Sequence, residues 1–409
     1  MTTNYGHGVY SYDKSEYVSQ ISVGESGEIA IVGTAPDADA TAWPLNVPVA
    51  IEGDITVAAT LGDNGTLPIA LQQIWRQYGT QSGRIAVIRV EELADEAEQT
   101  SAVLGDETDQ TGIYAILKTE TLLGFEPDLL IAPGFANVPT AEAVTPVCGA
   151  LADVASKIRA FAYFDTTNGT IAEAHLSRAL VGYDNAMLIH NYTMEWSDVA
   201  NAHVAVPGSV FAAAMQSKYD LEKGFWWSAS NKAGNLDGLS QSVLYRRGDK
   251  GCEANLLNED QISCIIRDKG SYKLWGSHTL DSEQLLGGTI VGRRVAYKVY
   301  DALDDGLHPY IDQPMSLQAI TNIASSVQSF LRELMSKGAL IGYTFELPSD
   351  LNTISQIQEG ILIYRLNFVE AGPIREIQIW GVRTPDLYAE FLDEASALSY
   401  LSETVVDLS

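Results

Sequence analysis

Between residues 128 and 190 apolar strands alternate with amphipathic helices, and few architectures accommodate that order. Residues 128–132 read as a buried strand, followed by a helix over 140–157. Val144, Val147, Cys148, Leu151, Val154 and Ala155 form its apolar stripe, and Pro146 sits near its start. Strands over 159–164 and 186–190 flank a helix over 170–180. A β-α-β-α-β order demands a parallel or mixed sheet with helices against its faces. Upstream, strands over 28–33 and 84–90 and a helix over 66–77 fit the same sheet, with Leu67, Leu71, Ile74 and Trp75 on one helix face. The acidic stretch 91–112 is expected as an exposed loop with room for a short helix. A helix over 207–219 leads into a Gly/Asn-rich connection at 228–238.

The last third follows other rules. Strands at 262–266 and 272–275 flank a turn at Asp268, Lys269 and Gly270, which is a hairpin pattern. Helices are expected over 284–303, striped by Val291, Val295 and Val299, and over 317–337, striped by Ile320, Ile323, Val327, Leu331 and Leu334, with Gly338 as the stop. Strands at 341–346, 361–368 and 374–380 complete an α+β unit with a largely antiparallel sheet, Trp380 being expected in its core. A short helix near 386–392 and a terminal strand over 398–406 end the chain. The expected fold class is therefore multidomain, an α/β domain plus an α+β domain.

Both chain ends read as strands without a local partner. Tyr17, Ile21 and Val23 alternate with Val18, Gln20 and Ser22, and no hairpin turn precedes them. Twenty extended residues reach roughly 65 Å at about 3.3 Å each, enough to cross onto a neighbouring copy. Adding such a strand to a neighbour's sheet satisfies its backbone and covers an open edge. Tyr17, Val18, Ile21 and Val23, with Leu398, Tyr400 and Leu401 at the other end, are the candidate inter-subunit strand residues.

Composition narrows the functions. A net charge of −28 makes nucleic acid and acidic membranes poor partners. No apolar run approaches the ~18–20 residues that span a bilayer. The first residues lack the basic and apolar regions of a secretory signal, so synthesis in the cytoplasm is expected. Cys148, Cys252 and Cys264 make no disulfide framework and are expected as buried thiols. Gly24-Glu-Ser-Gly27 lacks the glycine that a nucleophile turn needs at position 28. His190 and the Asp304-Asp305 pair are expected as structural groups, and Phe225-Trp226-Trp227 as core or interface. No catalytic residue, cofactor or metal is expected. Charge is uneven: residues 1–75 hold only Lys14 as a basic side chain, while 241–300 are net basic. Acidic and basic zones of different copies are expected to face one another, through Arg246, Arg247, Arg293 and Arg294.

Words in the sequence carry a further reading. Leu256-Leu-Asn-Glu259, an apolar strand, Arg267-Asp-x-Gly270 and Leu274-Trp-Gly276 occur in that order. They are preceded by Tyr5-Gly-His-Gly-Val9, Ala30-Ile-Val-Gly33, Ala35, Asp37-Ala-Asp39, Trp43-Pro-Leu-Asn46, Gly65-Thr-Leu67, Arg89-Val-Glu91 and the run Pro127 to Gly134. The series resembles contractile-tail sheath proteins of P2-type phages and pyocin-like particles. The resemblance implies a non-enzymatic subunit of a virion or particle tail, assembled in the host cytoplasm. Copies would stack as six-fold rings around a tail tube protein, bounded by baseplate and tail terminator, and contract to drive the tube through an envelope. No nucleic acid is bound and no membrane is entered in this scheme. It further implies an N-terminal linking arm (1–25), an outer α/β domain (26–245), an inner assembly domain (246–383) and a C-terminal linking arm (384–409), with Arg332, Glu333 or Lys337 touching the tube. Two alternatives remain at this point: an α/β enzyme with its site at the strand ends after Ile131 or His190, and a non-contractile tail or surface-layer subunit.

Overall fold

A computed structural model describes residues 21–79, 83–141, 145–281 and 288–401. Its spine is a ten-stranded sheet. The main strands are β1 (Ile29–Thr34), β2 (Pro48–Glu52), β3 (Arg84–Val90), β4 (Leu129–Ile131), β5 (Phe161–Thr166), β6 (Ala186–Ile189), β7 (Ile262–Asp268) and β8 (Ser271–Trp275). Across the sheet they run β8-β7-β6-β5-β4-β1-β3-β2, with Ala233–Gly234 beyond β8 and Asn137–Val138 beside β5. From β7 to β3 every neighbour is parallel, and only the flanking β8 and β2 run antiparallel.

Period-two side-chain alternation divides the interior. Ile29, Ile31, Val87, Leu129, Ile131, Tyr163 and Ile189 face one layer; Ala30, Val32, Ile88, Leu130, Phe164 and Leu188 face the other. Burial on both faces explains why these strands read as unbroken apolar runs. The first layer receives α1 (Thr66–Tyr78) and α5 (Gly208–Lys223); the second receives α2 (Glu96–Leu104), α3 (Pro146–Lys157) and α4 (Ile171–Ala179). α3 starts six residues later than its apolar pattern suggests. Pro146 occupies its first turn, where a fixed φ and a missing N–H cost nothing, and proline disfavours helix at the residue before it.

The first layer continues without a break into α6 (Ile290–Leu307), α7 (Leu317–Lys337) and the strand pair β9 (Leu340–Glu346) and β10 (Arg365–Glu370). Ser316 caps α7 by accepting from the Ala319 N–H at 3.1 Å, and Gly338 ends it with φ 80°. The expected boundary at 245/246 therefore cuts no gap in the structure. Strand β7, beyond it, hydrogen-bonds to β6 before it, with Ile262 opposite Leu188.

Contacts divide the chain elsewhere, into Met1–Gly372 and Pro373–Ser409. The second unit corrects two strand expectations. Residues 374–380 form no strand, and Trp380 is 87% exposed rather than core. The segment expected as strand from 398 is helical as far as it is described, within α8 (Leu387–Leu401). That stretch is rich in Leu, Ala and Glu and lacks Gly and Pro, so local propensity favours helix.

Candidate assembly surface

The chain enters the fold along α6. Ile21 is buried against that helix, and a Cβ on Gly306 would lie 2.5 Å from Ile21 Cγ1. Glycine at 306 is what lets the incoming segment lie this close. Further along, the Lys298 ammonium donates to the Glu25 carbonyl at 3.0 Å. Gly27, at φ 97°, presses against Ser217 and Asp220 of α5, and its N–H donates to Asp128 Oδ2 at 2.8 Å.

A buried ionic cluster fixes this entry. Arg294 donates to both oxygens of Asp220, through Nη1 at 2.8 Å and through Nη2, and lies 3.8 Å from Asp128. Lys298 pairs with Asp128 at 2.7 Å. Arg84 reaches Glu28 at 2.8 Å and Glu25 at 2.5 Å. Burial, reinforced by the Asp128 carboxylate, pushes Glu28 up to about 7. The cluster locks α6 and residues 25–28 to the first residues of β1 and β4.

The β9–β10 pair sits on α7. Tyr343 donates its hydroxyl to the Gln328 carbonyl at 3.2 Å and Tyr364 to that of Ile320 at 3.1 Å, while the Phe345 and Tyr364 rings stack at 4.9 Å. The opposite face is solvated, with cross-strand pairs Thr344–Asn367 (3.0 Å) and Glu346–Arg365 (3.2 Å). Among the described residues each strand pairs only with the other, so the outer edge of each is open. Ile341 (67% exposed) and Val369 add apolar surface there. In the second unit, Ile374, Ile377, Ile379 and Val382 are all exposed, and no strand pairing includes them.

The expected contact residues distribute unevenly. Tyr17 and Val18 lie outside the described residues. Ile21 and Val23 pack on their own core and are not strand residues. Leu398, Tyr400 and Leu401 lie in α8. Three of the four arginines expected between copies are engaged within the chain: Arg294 is buried on Asp220, Arg293 pairs with Asp184, and Arg247 meets Asp268 at 3.1 Å. Burial of Arg294 removes it from any surface, while Arg246 is exposed. Arg332, Glu333 and Lys337 share the exposed side of α7, Lys337 pairing with Glu333 at 2.6 Å. The sequence reading missed the Arg294–Lys298 pair as a buried anchor. Its signal was spacing: the two stand four apart on α6, each beside a valine of the apolar stripe.

Side chains at the carboxyl ends of the strands satisfy one another. His190 is buried between Thr166 Oγ1 (3.4 Å) and Gln241 Nε2 (3.3 Å), and burial, with His175 adding, lowers it to about 4. Asp165 is pushed up to about 7 by burial and accepts from the Ser209 N–H at 2.8 Å at the start of α5. Both act as staples between strand ends and loops. Cys148, Cys252 and Cys264 are free and buried. Phe225 is core, whereas Trp227 is 42% exposed. Among the described residues no group of three or more His, Cys, Asp or Glu could hold a metal, and no helix is long and apolar enough to cross a membrane.

Known proteins share this arrangement. The phage tail sheath protein central domain matches residues 110–280. A prophage major tail sheath protein of Pseudomonas aeruginosa (strain UCBPP-PA14) is 30% identical over 364 residues, covering 88% of this chain and 91% of that one. The tail sheath protein of Escherichia phage P2 is 29% identical over 389 residues, covering 92% and 95%. In fold, the chain is similar to the anti-feeding prophage helical sheath in its contracted state, with TM-score 0.67, 17% identity and coverage of 93% and 100%. It is also similar to the PVC sheath complex of an extracellular contractile injection system in its contracted state (TM-score 0.66, 17% identity, 95% and 100%). The chain belongs to the phage tail sheath family, a family of structural proteins.

Proposed function

We propose that this chain is the repeating subunit of a contractile tail sheath. Copies polymerise as stacked six-fold rings around an inner tube, and their collective rearrangement drives the tube through a target envelope. The β9–β10 pair carries this reading. A two-stranded sheet is marginal alone, and open edges invite added strands. Each copy also carries an exposed apolar segment at 374–382 that belongs to no strand, and an N-terminal stretch that enters beside α6. Donated strands from neighbouring copies complete the sheet and keep the lattice connected while rigid bodies rotate. The work then comes from repacking of interfaces, and the subunit needs no catalytic pocket or cofactor.

In this scheme the exposed side of α7, with Arg332, Glu333 and Lys337, faces the tube. Baseplate and tail terminator bound the polymer, which forms in the host cytoplasm and becomes part of the virion or particle tail. The polar groups at the strand ends are consumed by mutual hydrogen bonds, which disfavours the enzyme reading. Electron microscopy of the purified protein tests the proposal: hollow, ridged cylinders are expected, and a uniform monomer at high protein concentration would refute it.

A further inference from the structure

Exposed basic side chains are scarce in this acidic chain, yet several gather at one corner of the main sheet. Asp268, at the β7–β8 turn, takes both Arg247 (3.1 Å) and Lys273 (3.0 Å). Arg267 and Lys269 flank it, the Arg267 guanidinium lying 5.7 Å from the Tyr272 ring, and Arg246 is exposed alongside. The carboxylates nearest in sequence are occupied with backbone: Asp249 accepts from the Gly251 N–H at 2.9 Å and Glu253 from the Leu244 N–H at 2.7 Å. Of the five cations at this corner, Arg247 and Lys273 pair with Asp268, while Arg246, Arg267 and Lys269 are exposed. A groove of about 560 Å³ opens beside this turn, lined by Gly270, Ser271 and Tyr272 together with Asn235 and the Arg76–Asp237 ion pair.

The opposite charge stands on the far flank. No Lys or Arg lies between Arg89 and Lys118, and Glu91, Glu92, Glu96, Glu98 and Asp109 are exposed there. Glu107 is taken by Lys157 at 2.6 Å, while Asp95 caps α2 and Asp106 holds its own turn. Strands β3 and β7 are parallel through every intervening pair, so the acidic segment after Val90 and the basic turn after Asp268 leave the sheet at the same, carboxyl, end. Five strand spacings separate them, about 24 Å at ~4.8 Å each. That is about three screening lengths of ~8 Å, too far for one copy to neutralise itself.

We propose, resting on the reading that copies of this chain polymerise, that the basic turn around Asp268 docks against the acidic segment 91–109 of an adjacent copy. Two different patches on opposite flanks, at the same end of the sheet, make a head-to-tail contact. Such a contact closes into rings when its rotation permits and otherwise winds on as a helix. It is a lateral contact between folded bodies, separate from any donated strand.

Charge reversal tests it. One variant carries Arg246→Glu, Arg267→Glu and Lys269→Glu; the other carries Glu91→Lys, Glu92→Lys and Glu98→Lys. Neither set touches the Arg247–Asp268, Lys273–Asp268 or Lys157–Glu107 pairs, and circular dichroism checks that both fold. Each alone should need at least a tenfold higher concentration than wild type to polymerise by sedimentation. An equimolar mixture should polymerise near the wild-type threshold, because alternating copies present complementary charge at every contact. If wild type forms cylinders while both variants match it, or while the mixture stays as impaired as its parts, the contact is wrong and the sheath reading survives. Were the turn a polyanion site instead, the basic-reversed variant would polymerise normally and lose binding only to a labelled DNA duplex. Wild type that never polymerises, with no association between the two variants when mixed, overturns both.

Discussion

Arg294 of α6 and Asp220 of α5 form a bidentate ion pair in the interior, both side chains at least 95% buried, with Nη1 to Oδ1 at 2.8 Å. It joins the α/β sheet to the helices that carry β9 and β10. Removing one partner strands the other's charge in a low-dielectric site, at a cost of about 3–5 kcal/mol, whereas replacing both with apolar groups of similar volume is far milder. Arg294→Met should therefore lower the urea midpoint sharply, and Arg294→Met with Asp220→Leu should recover most of the loss. Equal midpoints for wild type and the single variant would show that the pair does not anchor these layers.

Glu195 supplies a pH prediction. Burial, against the opposing pull of Arg76 at 2.9 Å, raises its carboxyl from 4.5 to about 7. A raised carboxyl binds its proton more tightly in the folded state. Between pH ~4.5 and ~7 the folded protein then holds more protons than the unfolded chain, and this group's contribution to stability falls as pH rises through that window. Glu195→Gln should remove its share of the decline, so that the variant gains on wild type from pH 5 to pH 8 in thermal melts. A constant difference across that range would exclude the assignment.

How much of this was legible follows from what each element depends on. Strands β1, β3, β5 and β6 declare themselves because both faces are buried and their residues are apolar throughout. α7 is readable to the residue because Ser316, its stripe and Gly338 are all local signals. Residues 374–380 show the opposite case: Ile374, Ile377, Ile379 and Trp380 give a β-branched and aromatic stretch that suggests a strand, but nothing in it says whose sheet it joins. The anchor at Arg294 left only its spacing as a signal, for another reason. Arginine reads as surface, and only the fold brings Asp128 and Asp220, distant in sequence, to meet it.

Gly306 is a tolerance point for the entering chain. Alanine there would improve helix propensity by about 1 kcal/mol. Its Cβ, however, would sit 2.5 Å from Ile21 Cγ1 and 3.0 Å from Ile21 Cβ, and overpacking of this kind costs about 1–3 kcal/mol. Gly306→Ala should be net destabilising, and Ile21→Ala added to it should cost less than Ile21→Ala alone in wild type. Additive effects in that double-mutant cycle would mean the segment does not pack as described.

The exposed apolar segment of the second unit separates folding from assembly. Ile377 and Ile379 are 76% and 88% exposed, so changing them to Asp removes little buried area, and surface changes of this kind shift stability by roughly 0.5 kcal/mol or less. If these side chains enter pockets on a neighbour's completed sheet, each aspartate places a charge in an apolar contact. Ile377→Asp with Ile379→Asp should then melt within a few degrees of wild type yet remain unpolymerised in sedimentation, a loss that salt does not relieve because its origin is desolvation rather than repulsion. Polymerisation at the wild-type threshold would show that residues 374–382 are not a donated strand and would move the strand-exchange role to the N-terminal segment alone.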